Sequence, residues 1–82
     1  MTENTVKVNT SLEARSAAQF VSLASQFESN IQVQIDNKAV NAKSIMGMIS
    51  LGLLDGQTVT ISAKGADEKK ALQSLTAFLT AV

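Results

Sequence analysis

Two short stretches of this 82-residue chain hold side chains that could do chemistry. The first is Ser44-Ile45-Met46-Gly47-Met48-Ile49-Ser50-Leu51-Gly52. A serine directly ahead of an apolar helical run sits where an N-cap belongs, its hydroxyl accepting a hydrogen bond from a free amide of the first turn. Free amides and the helix dipole also favour negative charge there. Phosphate on Ser44 would add nearly two charges and change the surface without unfolding the domain. For a serine considered alone, plain capping is the simpler explanation, and Lys43 beside it reads as a solvated side chain. The second stretch is Ser11-Leu12-Glu13-Ala14-Arg15-Ser16, where Glu13 and Arg15 flank a helix start. A carboxylate is favoured there electrostatically, but one Glu and one Arg form no catalytic signature.

What is missing narrows the chemistry further. Histidine and cysteine are absent. That removes Ser-His and Cys-His nucleophiles, thiol redox chemistry, disulfides, and zinc held by His or Cys. Neither a metal nor another cofactor is implied, and an enzyme is not expected. Seven basic residues balance seven acidic ones, and 45% of the chain is apolar, as in a soluble globular domain. The lysines are dispersed and Trp and Tyr are lacking, which argues against nucleic-acid binding. The N-terminus carries no signal-peptide pattern. The nearly apolar run from Ile45 to Leu54 is half the roughly 20 residues a membrane helix needs. A cytoplasmic protein without membrane insertion is expected.

These residues must be positioned by a single domain over residues 1–82, small enough to bury only about 60 to 65% of its unfolded surface. Val6 and Val8 alternate with Lys7 and Asn9, predicting a strand from about Thr2 to Val8. Ala17, Phe20, Val21, Ala24 and Phe27 form one helical stripe. Ile31, Val33 and Ile35 alternate with polar residues as a half-buried strand. Asp36-Asn37 then fits a tight hairpin turn, Asn tolerating the positive φ required, and Lys38 to Asn41 returns as a strand. After the short helix behind Ser44, Val59, Ile61 and Ala63 mark a fourth strand. Ala71, Leu72, Leu75, Phe78, Leu79 and Val82 mark a last amphipathic helix, with Asp67 and Glu68 complementing its dipole in the first turn.

The order is β-α-β-β-α-β-α, simplest as one sheet with helices packed on its apolar face. In the short middle helix, at about 100° per residue, Met48 and Leu51 make one stripe and Ile45, Met46 and Ile49 another. The sheet can bury one stripe. The other either meets a partner or lies under a connecting loop, and the pattern does not choose between them.

The segment Lys43 to Gly52 closely resembles the regulatory-serine motif of HPr, the histidine-containing phosphocarrier of the bacterial phosphoenolpyruvate-sugar phosphotransferase system. The resemblance extends through Val40-Asn41, Thr60-Ile61-Ser62-Ala63, Gly65-Ala66-Asp67-Glu68 and Ala71-Leu72, and so over essentially the whole chain. It implies an α+β open-faced β-sandwich: a four-stranded antiparallel sheet covered on one face by three helices. The family's active-site loop reads Gly-Ile/Leu-His-Ala-Arg-Pro-Ala. Here Leu12, Ala14, Arg15 and Ala17 match, Glu13 stands in the place of the phosphorylated histidine, and Ser16 in that of the proline. With no histidine anywhere, phosphohistidine chemistry is impossible.

What remains resembles the histidine-less catabolite-repression branch of the family. That resemblance implies phosphorylation of Ser44 by HPr kinase/phosphorylase with ATP, and a corepressor role towards a repressor of the catabolite control protein A type. It also implies an exposed docking patch of Ile45, Met46 and Ile49, with Arg15 and Lys43 as polar partner contacts. The branch usually carries glutamine where Glu13 stands; here the carboxylate either imitates a phosphorylated histidine or caps the helix, and the cap is preferred. Two alternatives stand beside this reading. One is a phosphocarrier working through an acyl phosphate on Glu13, partnered by Enzyme I or Enzyme IIA domains. The other is an unmodified interaction module.

Overall fold

The computed structural model describes residues 1–9, 11 and 13–80. The elements run β1 (Thr2–Lys7), α1 (Ala14–Ala24), β2 (Asn30–Ile35), β3 (Lys38–Asn41), α2 (Ile45–Leu51), β4 (Thr58–Lys64) and α3 (Glu68–Thr80). This is the expected βαββαβα order. The four strands form one antiparallel sheet in the order β1-β4-β2-β3.

Strand alternation sorts the side chains onto two faces. Val6 pairs with Val59, Ile31 with Ala63, and Val33 with both Ile61 and Val40, so these residues share the inner face. Thr5, Gln32, Gln34, Thr60 and Ser62 take the other face, where the Thr5 and Thr60 hydroxyls meet at 3.0 Å. The helices pack over the inner face. Ala17, Phe20 and Ala24 of α1, Met48 and Leu51 of α2, and Ala71, Leu72, Leu75 and Leu79 of α3 join it in one apolar core. Phe20 and Phe78 meet edge-to-face, ring centroids 5.6 Å apart, an arrangement that adds to their area burial.

Three local departures from the sequence expectations have physical causes. The apolar stripe of the first helix was expected to run to Phe27, but α1 ends at Ala24. The chain there tightens into a turn in which Gln26 and Phe27 donate to the carbonyls of Leu23 and Ala24, the i→i−3 pattern common at helix ends. Phe27 still packs against the core from beyond the helix. At the Asp36-Asn37 hairpin the positive φ falls on Asp36, at 51°, rather than on Asn37; Asp, like Asn, tolerates that region. The first strand closes at Lys7, leaving buried Val8 to donate to the Gln57 carbonyl at 2.8 Å. Leu12, matched in the loop resemblance, and Val82, placed in the last helical stripe, lie outside the described residues.

Asp67 and Glu68 do more than complement a dipole. Asp67 directly precedes α3 and accepts from the Ser29 hydroxyl and from the amides of Glu28 and Ser29. These bonds, led by the Ser29 hydroxyl, hold its carboxyl below the ordinary value of 3.8. They clamp the α1–β2 loop to the start of α3 and satisfy buried Ser29. Glu68 accepts from the Thr2 hydroxyl and the Gly65 amide, and its carboxylate lies 3.5 Å from the Met1 ammonium. The Thr2 hydroxyl, then the Gly65 amide, depress its carboxyl below 4.5. Edge strand β1 is thereby pinned to α3, with Asn4 donating to the Thr76 hydroxyl at 3.2 Å as a further tie.

Candidate functional site

The turn between β3 and α2 is built to present Ser44. The Asn41 side chain accepts from the Lys43 amide at 2.8 Å, and its carbonyl accepts from the Ser44 amide at 3.0 Å. Asn is suited to such a turn because its side chain can bond its own backbone two residues on. Between these bonds, buried Ala42 donates to the Ile31 carbonyl and anchors the turn to the sheet. Ser44 then adopts extended backbone angles, φ −104° and ψ 114°, and its hydroxyl accepts from the Gly47 amide at 3.1 Å. The N-cap expected at this position is present. Ser44 is half-buried, and no acceptor for its own hydroxyl proton appears among the described residues.

At the other end, Gly52 closes α2 in the left-handed region, φ 66° and ψ 49°, and donates to the Ile49 carbonyl. A residue with a Cβ would be strained there.

The helix faces are now distinguished. Met48 and Leu51 are buried against the sheet, whereas Ile45 is 37%, Ile49 44% and Met46 73% exposed. Among the described residues, no loop covers the second stripe. Leu54, just beyond the helix, is exposed at 58% and extends the apolar surface. Sequence spacing does not distinguish it from its neighbour Leu53, yet the core takes only Leu53.

The loop before α1 lies next to the end of this segment. The Ser11 hydroxyl accepts from the Asp55 amide at 3.2 Å, and the Val8 carbonyl accepts from Gly56. Glu13 occupies the N-cap position of α1, and its carbonyl accepts from Ala17 at 2.7 Å. The carboxylate, however, makes no capping hydrogen bond. The side-chain cap preferred for Glu13 is therefore corrected: the backbone begins the helix there, while the carboxylate stays exposed. The longer Glu side chain lacks the reach-matched geometry of Ser, Thr, Asp or Asn at this position.

Arg15 is also exposed, in the first turn of α1, which contains no acidic residue. A cation there opposes the helix dipole. Among the described residues it forms no ion pair with Glu13. Lys43, expected as a partner contact, donates from Nζ to the Phe27 carbonyl at 2.7 Å. It ties the end of α1 to the turn that carries Ser44.

Comparison with known proteins accords with this geometry. The family model described as the PTS HPr component phosphorylation site matches residues 2–81. The HPr-like protein Crh of Halalkalibacterium halodurans is 49% identical over 74 residues, covering 90% of this chain and 88% of that protein. The crystal structure of the phosphocarrier protein HPr from Bacillus anthracis superposes with a TM-score of 0.92 at 41% identity, covering 96% of each chain. That of Crh from Bacillus subtilis, described as a catabolite repression protein with a swapped domain, gives a TM-score of 0.80 at 47% identity, covering 90% of this chain and 85% of that one. A match over nearly all its length, with a shared sheet and helix layer, makes this chain a member of the HPr family.

Proposed function

We propose that this chain is an HPr-like regulatory protein of carbon catabolite repression that lacks the phosphocarrier histidine and is controlled by phosphorylation of Ser44. The observation that carries this reading is a half-buried cap serine, its hydroxyl proton without an acceptor among the described residues, at the head of a helix whose Ile45, Met46 and Ile49 face solvent. In the reaction, Oγ of Ser44 attacks the γ-phosphorus of ATP, ADP leaves, and the hydroxyl proton passes to a base on HPr kinase/phosphorylase. The phosphate adds a dianionic group beside an apolar patch. A repressor of the catabolite control protein A type would then read both, the patch by burial and the phosphate by charge-assisted hydrogen bonds, with exposed Arg15, two residues after Glu13, as a further polar contact. The protein itself catalyses nothing and acts in the cytoplasm. The missing histidine, beside the similarity to Crh, supports this branch over the carrier branch.

A second reading is favoured by Glu13, which is exposed at the head of α1 and makes no side-chain capping hydrogen bond. It makes the chain a carrier through an acyl phosphate, served by Enzyme I or an Enzyme IIA domain.

Intact mass after separate incubation with HPr kinase plus ATP, and with Enzyme I plus phosphoenolpyruvate, separates the readings. One phosphate adds about 80 Da. The expected result is a gain with ATP alone, placed on Ser44 by fragmentation and lost in Ser44→Ala. A gain with phosphoenolpyruvate on Glu13 selects the carrier. No gain in either leaves an unmodified interaction module.

A further inference from the structure

Gly47 lies inside α2, three residues after the Ser44 cap. Glycine is among the poorest helix formers, and Gly47 stands in the first turn of α2. Its usual justification is missing, because among the glycines only Gly52, Gly56 and Gly65 take a positive φ. Nor does the position hold the Glu or Gln that would complete a capping box with Ser44.

Space explains the choice. A Cβ at position 47 would lie 3.3 Å from Ser44 Oγ on one side and 3.3 Å from Val40 Cβ on the other. Both approaches are tighter than ordinary van der Waals contact. Val40 is in β3, held by its pairing with Val33 of β2. Ser44 Oγ is held by one hydrogen bond, from the Gly47 amide itself. Of the two neighbours the hydroxyl is the softer, so a methyl group wedged there displaces the hydroxyl rather than the strand.

We propose that Gly47 is a positioning residue for phosphorylation of Ser44: its missing side chain keeps the hydroxyl in the place from which it attacks the γ-phosphorus of ATP on a serine kinase. The proposal rests on the reading of Ser44 as the modified residue. During transfer the O–H bond of Ser44 breaks, its proton goes to a base on the kinase, a new bond joins Oγ to phosphorus, and ADP departs. In-line attack depends on where Oγ stands, and a misplacement of about 1 Å can slow such a reaction on the order of 100-fold.

The test measures phosphorylation kinetics with HPr kinase and ATP for the full chain and for Gly47→Ala, Val40→Gly and the double variant, with thermal melting of each. Gly47→Ala is expected to melt close to the parent but to lose at least about 10-fold in kcat, with KM for the protein little changed. Adding Val40→Gly removes the Cβ that stands 3.3 Å from the new methyl group, so the double variant should recover most of the lost rate. Equal rates for the parent and Gly47→Ala overturn the proposal. So does a slow double variant that is folded, because the methyl group would then act on the kinase directly and not through the hydroxyl. A Gly47→Ala protein that fails to melt cooperatively, with Val40→Gly restoring folding but the rate already normal per folded molecule, also overturns it by assigning Gly47 to packing. A parent protein that takes no phosphate from ATP removes the Ser44 reading itself, and this inference with it.

Discussion

Ser44 has two roles that a single substitution mixes. Its hydroxyl caps α2 through the Gly47 amide, and the same oxygen is the proposed phosphate acceptor. Removing it in Ser44→Ala is expected to cost about 1 kcal/mol, seen as a fall of about 4–8 °C in Tm for a domain of this size. Ser44→Asn keeps a good capping acceptor but offers no hydroxyl. It should melt within about 2 °C of the parent and take no phosphate from ATP. If Ser44→Asn melted as low as Ser44→Ala, the cap would not be what holds the head of α2. The serine was readable because a capping residue and the apolar run behind it are neighbours in the chain. The role of Lys43 was not, since its partner is the Phe27 carbonyl sixteen residues away.

At the scale of elements, the docking of α3 depends on a close approach. Gly65, at φ +155°, precedes α3, and a Cβ there would meet Ser29 Cα at 2.7 Å and Ser29 Oγ at 2.8 Å. Ser29 is itself buried and bonded to Asp67. Backbone on one side and a clamped side chain on the other leave nothing soft to yield. Gly65→Ala is expected to destabilise the fold by about 2–4 kcal/mol, lowering the urea midpoint and separating the α1–β2 loop from α3. An unchanged midpoint would mean that the turn can reopen without loss. The contrast with Gly47 is informative. Both glycines stand next to a serine, but at Gly65 the obstacle is backbone and at Gly47 it includes a hydroxyl free to turn. From the sequence, α3 itself was legible from the 3.6-residue spacing of Ala71, Leu72, Leu75, Phe78 and Leu79. Its clamp was not, because nothing local marks Glu28 and Ser29 as partners of Asp67.

For the whole molecule, Asp67 and Glu68 link stability to pH. Both carboxyls are depressed in the folded state, Asp67 chiefly by the Ser29 hydroxyl and Glu68 chiefly by the Thr2 hydroxyl. As pH falls, the unfolded chain takes up protons on these groups before the folded one does, so acid favours unfolding. Their contribution is therefore present in full at neutral pH. It begins to fade near the ordinary values of 3.8 and 4.5 and is lost as pH passes below the depressed folded values. Urea midpoints measured from pH 7 to pH 2 should stay level at first and then decline. In an Asp67→Asn, Glu68→Gln protein the neutral-pH midpoint should be lower and the acid decline shallower, so that the two curves converge at low pH. Parallel curves would place the acid sensitivity in other groups.

The sequence alone determined the order of the elements, the apolar faces of strands and helices, the cap at Ser44, and the loss of phosphohistidine chemistry. Each of these depends on residue type or on spacing along a few turns of chain, and a missing histidine is missing in any fold. Only the tertiary structure decided that Ile45, Met46 and Ile49 face solvent while Met48 and Leu51 are buried. Two apolar stripes on one short helix are equivalent until a sheet takes one of them. It likewise decided that the Glu13 carboxylate does not cap α1, and that Lys43, Asp67 and Glu68 serve as ties between distant segments. Those outcomes depend on which groups arrive from elsewhere in the chain, and periodicity carries no record of them.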